Sequence, residues 1–448
     1  MTVPMQTSDH PHFVIIGGGP AGSLLANYIG KSGYQVDVYE MRDDLRTSEA
    51  GRGKSINLAL SYRGLCAMEP VGLADEVLRL AVPMRGRMIH AVNGCTAFQS
   101  YGVEDSQAIN SVSRGGLNVA LLQAAAKYPN VRLHFNAKCS DINLDNGQVT
   151  IVDTRSGAVS NIRGDILAGA DGAFSVVRRT MQKLDRFNYS QDYLAHGYKE
   201  LTIPAAPNGA FALEKNALHI WPRRSFMMIA LPNSDGSFTC TLFWPFDGHN
   251  SFGAIRTEVD LRQFFSKHFP DVLALMPTLA EDYFANPVGS MVTTRCSPWH
   301  VDQRVVLLGD ACHAVVPFYG QGMNAAFEDV LVLGECMQKH RPDWRRVFEV
   351  YEESRKPNTD ALADLAVANF IEMRDRTGSR LFLLKKKGEK LLGKVFSWWY
   401  VPLYTLVTFT RTPYAEAVAR ARKQNRVVAS VIMFVFVLMI FVLLEYIL

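Results

Sequence analysis

The chain has 448 residues, 48% hydrophobic and 20% charged, with 47 basic against 43 acidic side chains. That length suits two or three domains of about 150 residues, and a net charge of +4 spread along the chain lacks the concentrated basic face that nucleic acid requires, so no nucleic-acid partner is expected. Seven scattered cysteines without a Cys-x-x-Cys pair argue against a zinc site or a disulfide framework; no metal is expected, and a reducing compartment is.

The N-terminal MTVPMQTSDHPH lacks a basic start followed by an apolar run, so no secretory signal is expected. Phe13 to Ile16 predicts a strand running into Gly17-Gly18-Gly19, Pro20 to Lys31 a helix stopped at Gly33, and Gln35 to Glu40 a second strand, together a βαβ unit. Leu117 to Lys127 predicts a helix, and Val131 to Phe135 and Ile166 to Gly169 two further strands. Between His196 and Thr294 the strand-like runs Leu218 to Trp221, Phe226 to Leu231 and Phe238 to Phe243 are separated by Pro, Asn, Asp and Gly, which points to an inserted sheet. Val305 to Leu308 is again a strand, Met323 to His340 a helix, and from Leu362 onward the chain reads as helices. Val427 to Leu444 is an uncharged, almost wholly apolar run, long enough as a helix to cover roughly 27 Å of bilayer. Arg420, Arg422, Lys423 and Arg426 stand just before it and would hold that end in the cytosol. A buried core helix is the alternative; a C-terminal tail anchor is the expectation. Lys385-Lys386-Lys387 beside Leu381 to Leu384 could touch anionic lipid, with a solvated helix face the plainer reading.

Three motifs carry chemistry. Gly17-Gly18-Gly19-Pro20-Ala21-Gly22 fits G-x-G-x-x-G at a strand-to-helix turn: Gly17 permits the turn, Gly19 lets the backbone approach a pyrophosphate, and Gly22 lets helix pack on strand, with the helix N-terminus holding the phosphate charge. Glu40, 18 residues after Gly22, would accept ribose hydroxyls. This much suits FAD or NAD equally, or a plain glycine-rich turn. Leu307-Leu308-Gly309-Asp310-Ala311, followed by Pro317 and Gly320-Gln321-Gly322-Met323-Asn324, places Asp310 at a strand end, where it could bind ribityl hydroxyls or merely cap a helix. The Gly320 to Gly322 turn would aim helix amides at an isoalloxazine carbonyl. Gly169-Ala170-Asp171-Gly172-Ala173-Phe174-Ser175 with Arg178 is similar to the Asp-Gly segment of flavin monooxygenases with a single nucleotide fold, or is a tight turn. The three together favour FAD.

The expected fold class is α/β: a Rossmann-like FAD-binding domain with an inserted mixed or antiparallel β-sheet substrate domain, C-terminal helices and one C-terminal transmembrane helix. The expected boundaries are 1–65, 105–190 and 295–360 for the FAD-binding domain, 66–104 and 191–294 for the substrate domain, 361–426 for the helical region and 427–448 for the anchor.

Beyond these motifs, the stretches Arg52-Gly53-Lys54-Ser55-Ile56-Asn57-Leu58-Ala59-Leu60, Pro83-Met84-Arg85-Gly86-Arg87-Met88, His196-Gly197-Tyr198-Lys199-Glu200-Leu201, Leu218-His219-Ile220-Trp221-Pro222, Val315-Val316-Pro317-Phe318, Asn369-Phe370-Ile371-Glu372-Met373 and Leu403 to Phe409 carry a resemblance over nearly the whole chain. It resembles the single-component aromatic hydroxylases of the para-hydroxybenzoate hydroxylase fold and, within them, the kynurenine 3-monooxygenase family. The resemblance implies tightly bound FAD near Gly17, Gly19, Ala21, Gly22, Tyr39, Glu40, Met41, Arg42, Ala59, Arg114, Cys139, Asp171, Asp310, Gly322, Met323 and Asn324. It implies a substrate carboxylate on Arg87 and Tyr101, with Asn369 and Tyr404 completing the polar end and Leu218, Met227, Ile229, Phe243, Pro317 and Phe318 forming an apolar wall. It further implies L-kynurenine, O2 and transient NADPH as partners, oxygen transfer through a flavin C4a-hydroperoxide with no obligate acid or base residue, and a place on the mitochondrial outer membrane. Departures are Lys54 where Arg is usual, Gly86 where some members have Ala, and Cys312 where Ala is common. Taken without the resemblance, Arg87 reads as a solvated arginine, Tyr101 and Tyr404 as packing residues, and Asn369 as facing solvent, although one Arg with a Tyr hydroxyl suits an amino-acid carboxylate. Two rivals remain at this stage: a related flavin monooxygenase acting on another aromatic or a lipid, and a tail-anchored flavin-binding scaffold.

Overall fold

The computed structural model describes residues 10–47, 57–101, 107–372, 388–389, 392–393, 395–396 and 398–447. Arg52 to Ile56, Met373 and Leu381 to Lys387, singled out above, lie outside the described residues.

The chain opens with β1 (Phe13–Ile16), α1 (Pro20–Lys31) and β2 (Val36–Tyr39), then β3 (Asn57–Leu60), α2 (Tyr62–Met68), α3 (Ala74–Arg79) and β4 (Val82–Met84). A hairpin of β5 (Gly86–His90) and β6 (Thr96–Ser100) precedes β7 (Ile109–Ser113), α4 (Arg114–Ala125) and β8 (Val131–His134). Next come β9 (Ala137–Asn143), β10 (Gln148–Asp153), β11 (Val159–Arg163), β12 (Ile166–Gly169) and α5 (Val176–Met181). The segment β13 (Asn188–Ile203), β14 (Ala217–Pro222), β15 (Met227–Pro232) and β16 (Phe238–Pro245) leads to α6 (Glu258–His268), α7 (Pro270–Leu273), α8 (Leu279–Ala285) and β17 (Gly289–Ser297). Then follow β18 (His300–Val301), β19 (Val305–Leu307), α9 (Asp310–His313), α10 (Gly322–His340), α11 (Trp344–Ile371), α12 (Leu403–Phe409) and α13 (Tyr414–Ile447).

Two sheets position the site. The first has the order β18-β19-β12-β1-β2-β8, parallel except where β18 meets β19. β1, β12 and β19 are apolar and buried at every position, as expected of strands covered on both faces. The second sheet runs β17-β13-β16-β15-β14-β5-β6, antiparallel except for β14 beside β5. Its alternation separates two faces. Trp221, Met228, Ala230, Cys240, Leu242 and Trp244 pack against Leu261, Phe264, Phe265, Val272 and Leu279 of α6–α8, while Ile220, Met227 and Phe243 meet Phe318 and Phe370 on the other side.

The α/β architecture with an inserted sheet is thus the observed one, and three features go beyond the sequence expectation. Helices α6–α8 interrupt the strand-like region, β13 starts at Asn188, well before His196, and β9–β11 form a separate three-stranded sheet. Helix α6 begins with a reciprocal capping box, Thr257 and Asp260, which satisfies two first-turn donors.

Helix α13 is continuous from Tyr414. Its first turns bury Tyr414, Ala417, Ala421 and Gln424 in the protein, whereas Val431 to Val442 are exposed throughout. Among the described residues it is the one helix long and apolar enough to cross a membrane.

Candidate active site

The β1–α1 turn is built around its glycines. Gly17 adopts φ +104°, and a Cβ there would lie 2.4 Å from the Ala170 carbonyl oxygen; at Gly22 it would lie 1.9 Å from the Gly17 oxygen. At Gly19 a Cβ would meet nothing within 4 Å, so this position faces open space, where a diphosphate can approach the backbone. No side chain caps α1, which leaves its first-turn amides and positive dipole for an anion. Ala21 is half-buried on the same turn.

At the end of β2 the buried Glu40 accepts from Gly18 N (2.8 Å) and from Arg42 N (3.0 Å) and Nε (2.7 Å). Burial raises its pKa, but the Arg42 hydrogen bond and charge and the two backbone donors outweigh it, so the carboxyl sits below its ordinary value. Tyr39 stacks on His134, with centroids 4.5 Å apart and planes 9° apart. Met41 and Arg42 are exposed beside it. The turn, the carboxylate and the flat ring suit a pyrophosphate, a ribose and a base in that order.

Asp310 stands just beyond the end of β19, two strands from β1 in the same sheet. Leu308, Gly309 and Ala311 around it are buried, yet Asp310 itself is exposed. Burial in the fold nonetheless raises its carboxyl, opposed by the charges of His313 and Arg114. Its side chain forms no hydrogen bond among the described residues, which fits a polyol-bearing cofactor. Behind it a buried network fixes the backbone. Asp329 accepts from Gly309 N (3.0 Å) and Arg355 Nε (2.7 Å) and pairs with His313 Nε2, and Glu328 bridges Arg355 and Arg63.

Asn324 acts through its neighbours. Its amide donates to Ala59 O (2.8 Å) and Gly320 O (2.9 Å) and accepts from Ser61 N (2.9 Å). Its side chain therefore ties β3 to the Gly320 turn, and the uncapped first turn of α10, with Gly322, Met323 and Asn324, is the part that presents donors. Asp171 caps α5 through Val176 N (2.6 Å) and Val177 N (3.3 Å), while its Oδ1 is buried without a partner. Arg178 locks this Asp-Gly loop to α9 by donating to Ala173 O (2.6 Å) and Ala311 O (2.7 Å). Cys139 is buried on β9 and its thiol is pushed up to about 12 by burial, so it is neutral. Arg114 opens α4 and is exposed.

A second group of candidate residues lies on the face of the inserted sheet that turns away from α6–α8. Arg87 on β5 is sandwiched by tyrosines, its Cζ 5.5 Å from the Tyr101 ring centroid and 4.9 Å from that of Tyr404, and these rings stack at 5.4 Å. Its Nε is buried without a partner, and among the described residues no carboxylate pairs with it. Burial opposes its charge, but the two phenolic oxygens outweigh that and raise its pKa, so it remains a guanidinium. Burying an unpaired cation costs several kcal/mol; an incoming carboxylate would offset that cost.

The apolar wall joins this clamp directly. Leu218 is opposite Arg87 in the β14–β5 register, and Met227 is opposite Phe243. Leu218 and Ile229 pack, as Tyr101 and Tyr404 do, against the cluster of Met84, Ile109 and Leu231, and also against the cluster that contains Met227, Phe243 and Phe318. Phe318 lies 4.9 Å from Phe243, Pro317 beside it is exposed, and Asn369 Nδ2 donates to Phe318 O (2.7 Å). Two wall residues went unread in the sequence: Phe370, stacked on Phe318 at 4.3 Å, and Tyr319, 5.9 Å from Tyr404. Their positions next to Asn369 and Phe318 were the available signal.

A glycine turn with an acidic residue at the end of β2 and a separate arginine clamp lined by apolar residues point to the class, and the comparisons agree: residues 12–366 match the FAD binding domain family. The fold is shared with 2-methyl-3-hydroxypyridine-5-carboxylic acid oxygenase, at a TM-score of 0.67 and 20% identity over 84% of this chain and 96% of that one. The protein is an FAD-dependent monooxygenase. It is 48% identical over 403 residues to the kynurenine 3-monooxygenase of Myxococcus xanthus (90% of this chain, 87% of the relative). It is 45% identical over 434 residues to that of Sus scrofa (96% and 91%). The chain belongs to the kynurenine 3-monooxygenase family.

Proposed function

We propose that this protein hydroxylates L-kynurenine to 3-hydroxykynurenine, using NADPH and O2, with its catalytic domain held on the cytosolic side of the mitochondrial outer membrane by α13. The observation that carries the reading is Arg87: a half-buried guanidinium whose Nε is enclosed, without a carboxylate partner among the described residues, flanked by two tyrosines that pack on an apolar cluster. An aryl amino acid supplies what this pocket lacks, a carboxylate for Arg87 and a flat ring for the wall of Leu218, Met227, Ile229, Phe243, Pro317 and Phe318.

FAD, held along Gly17 to Gly22, Glu40, Asp310 and the start of α10, would accept a hydride from NADPH and deliver one oxygen atom of O2 to the ring. The residues of this chain bind and orient. Arg87 and Tyr101 anchor the carboxylate, Tyr404 and Asn369 close the polar end, and the apolar wall holds the ring while excluding water. One G-x-G-x-x-G leaves a single resident dinucleotide, so NADPH binds transiently.

The test compares kynurenine with its decarboxylated amine. Losing a charge-assisted, bidentate contact of about 1.5–3 kcal/mol corresponds to roughly 10- to 100-fold. Arg87→Ala should therefore weaken kynurenine by that factor and leave the amine nearly unchanged. Equal effects on both ligands would remove the carboxylate assignment.

A further inference from the structure

The described residues Val395, Phe396 and Trp398 to Tyr400, ahead of α12, have no role in the site. Trp399 N (2.9 Å) and Tyr400 N (2.8 Å) both donate to Phe396 O, which draws these residues close together. Tyr400 turns inward and is buried, whereas Val395, Phe396 and Trp398 point out of the protein, 58%, 44% and 81% exposed. Three neighbouring apolar side chains, one of them tryptophan, are costly to leave in water and mark a surface that meets something apolar. Trp221, Trp244, Trp299 and Trp344 are by contrast all buried.

These residues are fastened to α13. Gln424 Nε2 donates to Trp399 O (2.6 Å), and Tyr400 OH donates to Asn425 Oδ1 (3.4 Å). The apolar run of α13 starts at Val427, three residues beyond Gln424, or ~4.5 Å along the helix axis. The outward-facing patch therefore sits within one helical turn of the candidate span. Arg420, Arg422, Lys423 and Arg426 are exposed at the same level. Tryptophan there, basic side chains beside it and a wholly apolar stretch beyond is the order met at a membrane–water boundary, where indole rings lie among headgroups and Lys and Arg face anionic lipid.

We propose that Val395, Phe396 and Trp398 form a second membrane contact, seated at the headgroup boundary of the bilayer that α13 enters. The inference rests on the anchoring role proposed above for α13. The occupant is lipid, because the patch adjoins the start of the exposed apolar surface of that helix and is tied to it by two hydrogen bonds. Three side chains bind a bilayer only marginally by themselves, so the patch engages once α13 has brought it there. A lone helix leaves the catalytic domain free to swivel on the membrane, and a second point of contact fixes its tilt. Helix α12 begins three residues after Tyr400 and carries Tyr404, so the side held against the membrane is the one next to the arginine clamp.

The experiment reconstitutes the 448-residue, FAD-loaded protein in phosphatidylcholine vesicles whose acyl chains are brominated near the headgroup, brominated near the bilayer centre, or unbrominated, and reads tryptophan emission. Bromine quenches at contact, so the four buried tryptophans are silent and any loss reports Trp398 and Trp399. The wild type should lose emission most strongly to the bromine nearest the headgroup. Trp398→Phe should lose most of that quenching and keep the wild-type thermal transition, because the side chain it replaces is exposed. Equal quenching of the two proteins overturns the inference. So does wild-type emission indifferent to bromine, the result expected if solvent or a second copy of this chain covers the patch, and so does stronger quenching from the bilayer centre. Failure of the wild type to float with the vesicles overturns the anchoring reading and this one together; flotation without quenching overturns the inference alone.

Discussion

Arg87 and Gly22 show how much one position can decide. Arg87 is charged, half-buried with its Nε enclosed, and without an acidic partner among the described residues, an arrangement that favours close polar neighbours. Tyr101 and Tyr404 supply part of that support, and an anionic ligand supplies the rest. Gly22 decides the other cavity. Any side chain there collides with the Gly17 carbonyl, a backbone atom, at 1.9 Å, so helix α1 must shift away from β1. Gly22→Ala should destabilise the fold by about 1–3 kcal/mol and release FAD, read as a lost flavin absorbance after gel filtration. Retention of stoichiometric flavin would contradict the packing role given to this glycine.

At the scale of elements, α13 joins two environments. Its first turns are held in the protein by Tyr414, Ala417 and Ala421, with Gln424 Nε2 donating to Trp399 O (2.6 Å), and Val431 to Val442 form exposed apolar surface. Arg63 Nε donates to Val407 O (3.2 Å), and the guanidinium lies 4.1 Å from the Tyr414 ring centroid, so the base of α13 rests on α2. Removing the chain from residue 431 onward takes away the exposed apolar stretch Val431 to Val442. The shortened protein should move from the membrane pellet to the supernatant on fractionation with its thermal transition within a few degrees of the full chain. Persistent sedimentation with membranes would place the anchor elsewhere. The strands of the inserted sheet teach a related lesson: Leu218, Ile229 and Arg87 converge only because β14 and β5 are parallel neighbours, a pairing between distant segments.

For the whole molecule, the buried chain Arg63–Glu328–Arg355–Asp329–His313 ties α2, α9, α10 and α11 together behind the cleft. Burial raises the Asp329 carboxyl, but the charges of His313 and Arg355 and their hydrogen bonds outweigh it and hold it below the ordinary value. The native state therefore binds this proton less readily than the unfolded chain. Its contribution is complete above the unfolded carboxylate range, near 4, and is lost as pH falls through the lower native value. Asp329→Asn leaves the buried Arg355 guanidinium short of a countercharge and His313 short of its carboxylate partner, and should cost about 3–5 kcal/mol at pH 7, with a shallower loss of stability below pH 4 in urea titrations. An unaffected variant would mean that the network is dispensable.

Legibility followed locality. The Gly17–Gly22 turn, the β1–α1–β2 unit and the apolar run of α13 lie in continuous sequence, where spacing alone carries the signal, and the helix over Pro20–Lys31 agrees residue for residue. Helices α6–α8 were passed over because a strand-rich texture was extended through them, although Thr257 and Asp260 offered a capping box. The clamp was beyond spacing: Arg87, Tyr101 and Tyr404 come from β5, the end of a hairpin and α12, and only the resemblance brought them together. Asn324 shows the limit of residue-level roles, since its side chain is fully engaged by Ala59, Gly320 and Ser61.

The most direct test supplies purified, FAD-loaded protein with NADPH, kynurenine and isotopically labelled dioxygen, and weighs the product. The account predicts 3-hydroxykynurenine carrying one labelled oxygen atom, formed as kynurenine accelerates NADPH oxidation. NADPH consumption indifferent to kynurenine, with no hydroxylated product, would contradict it.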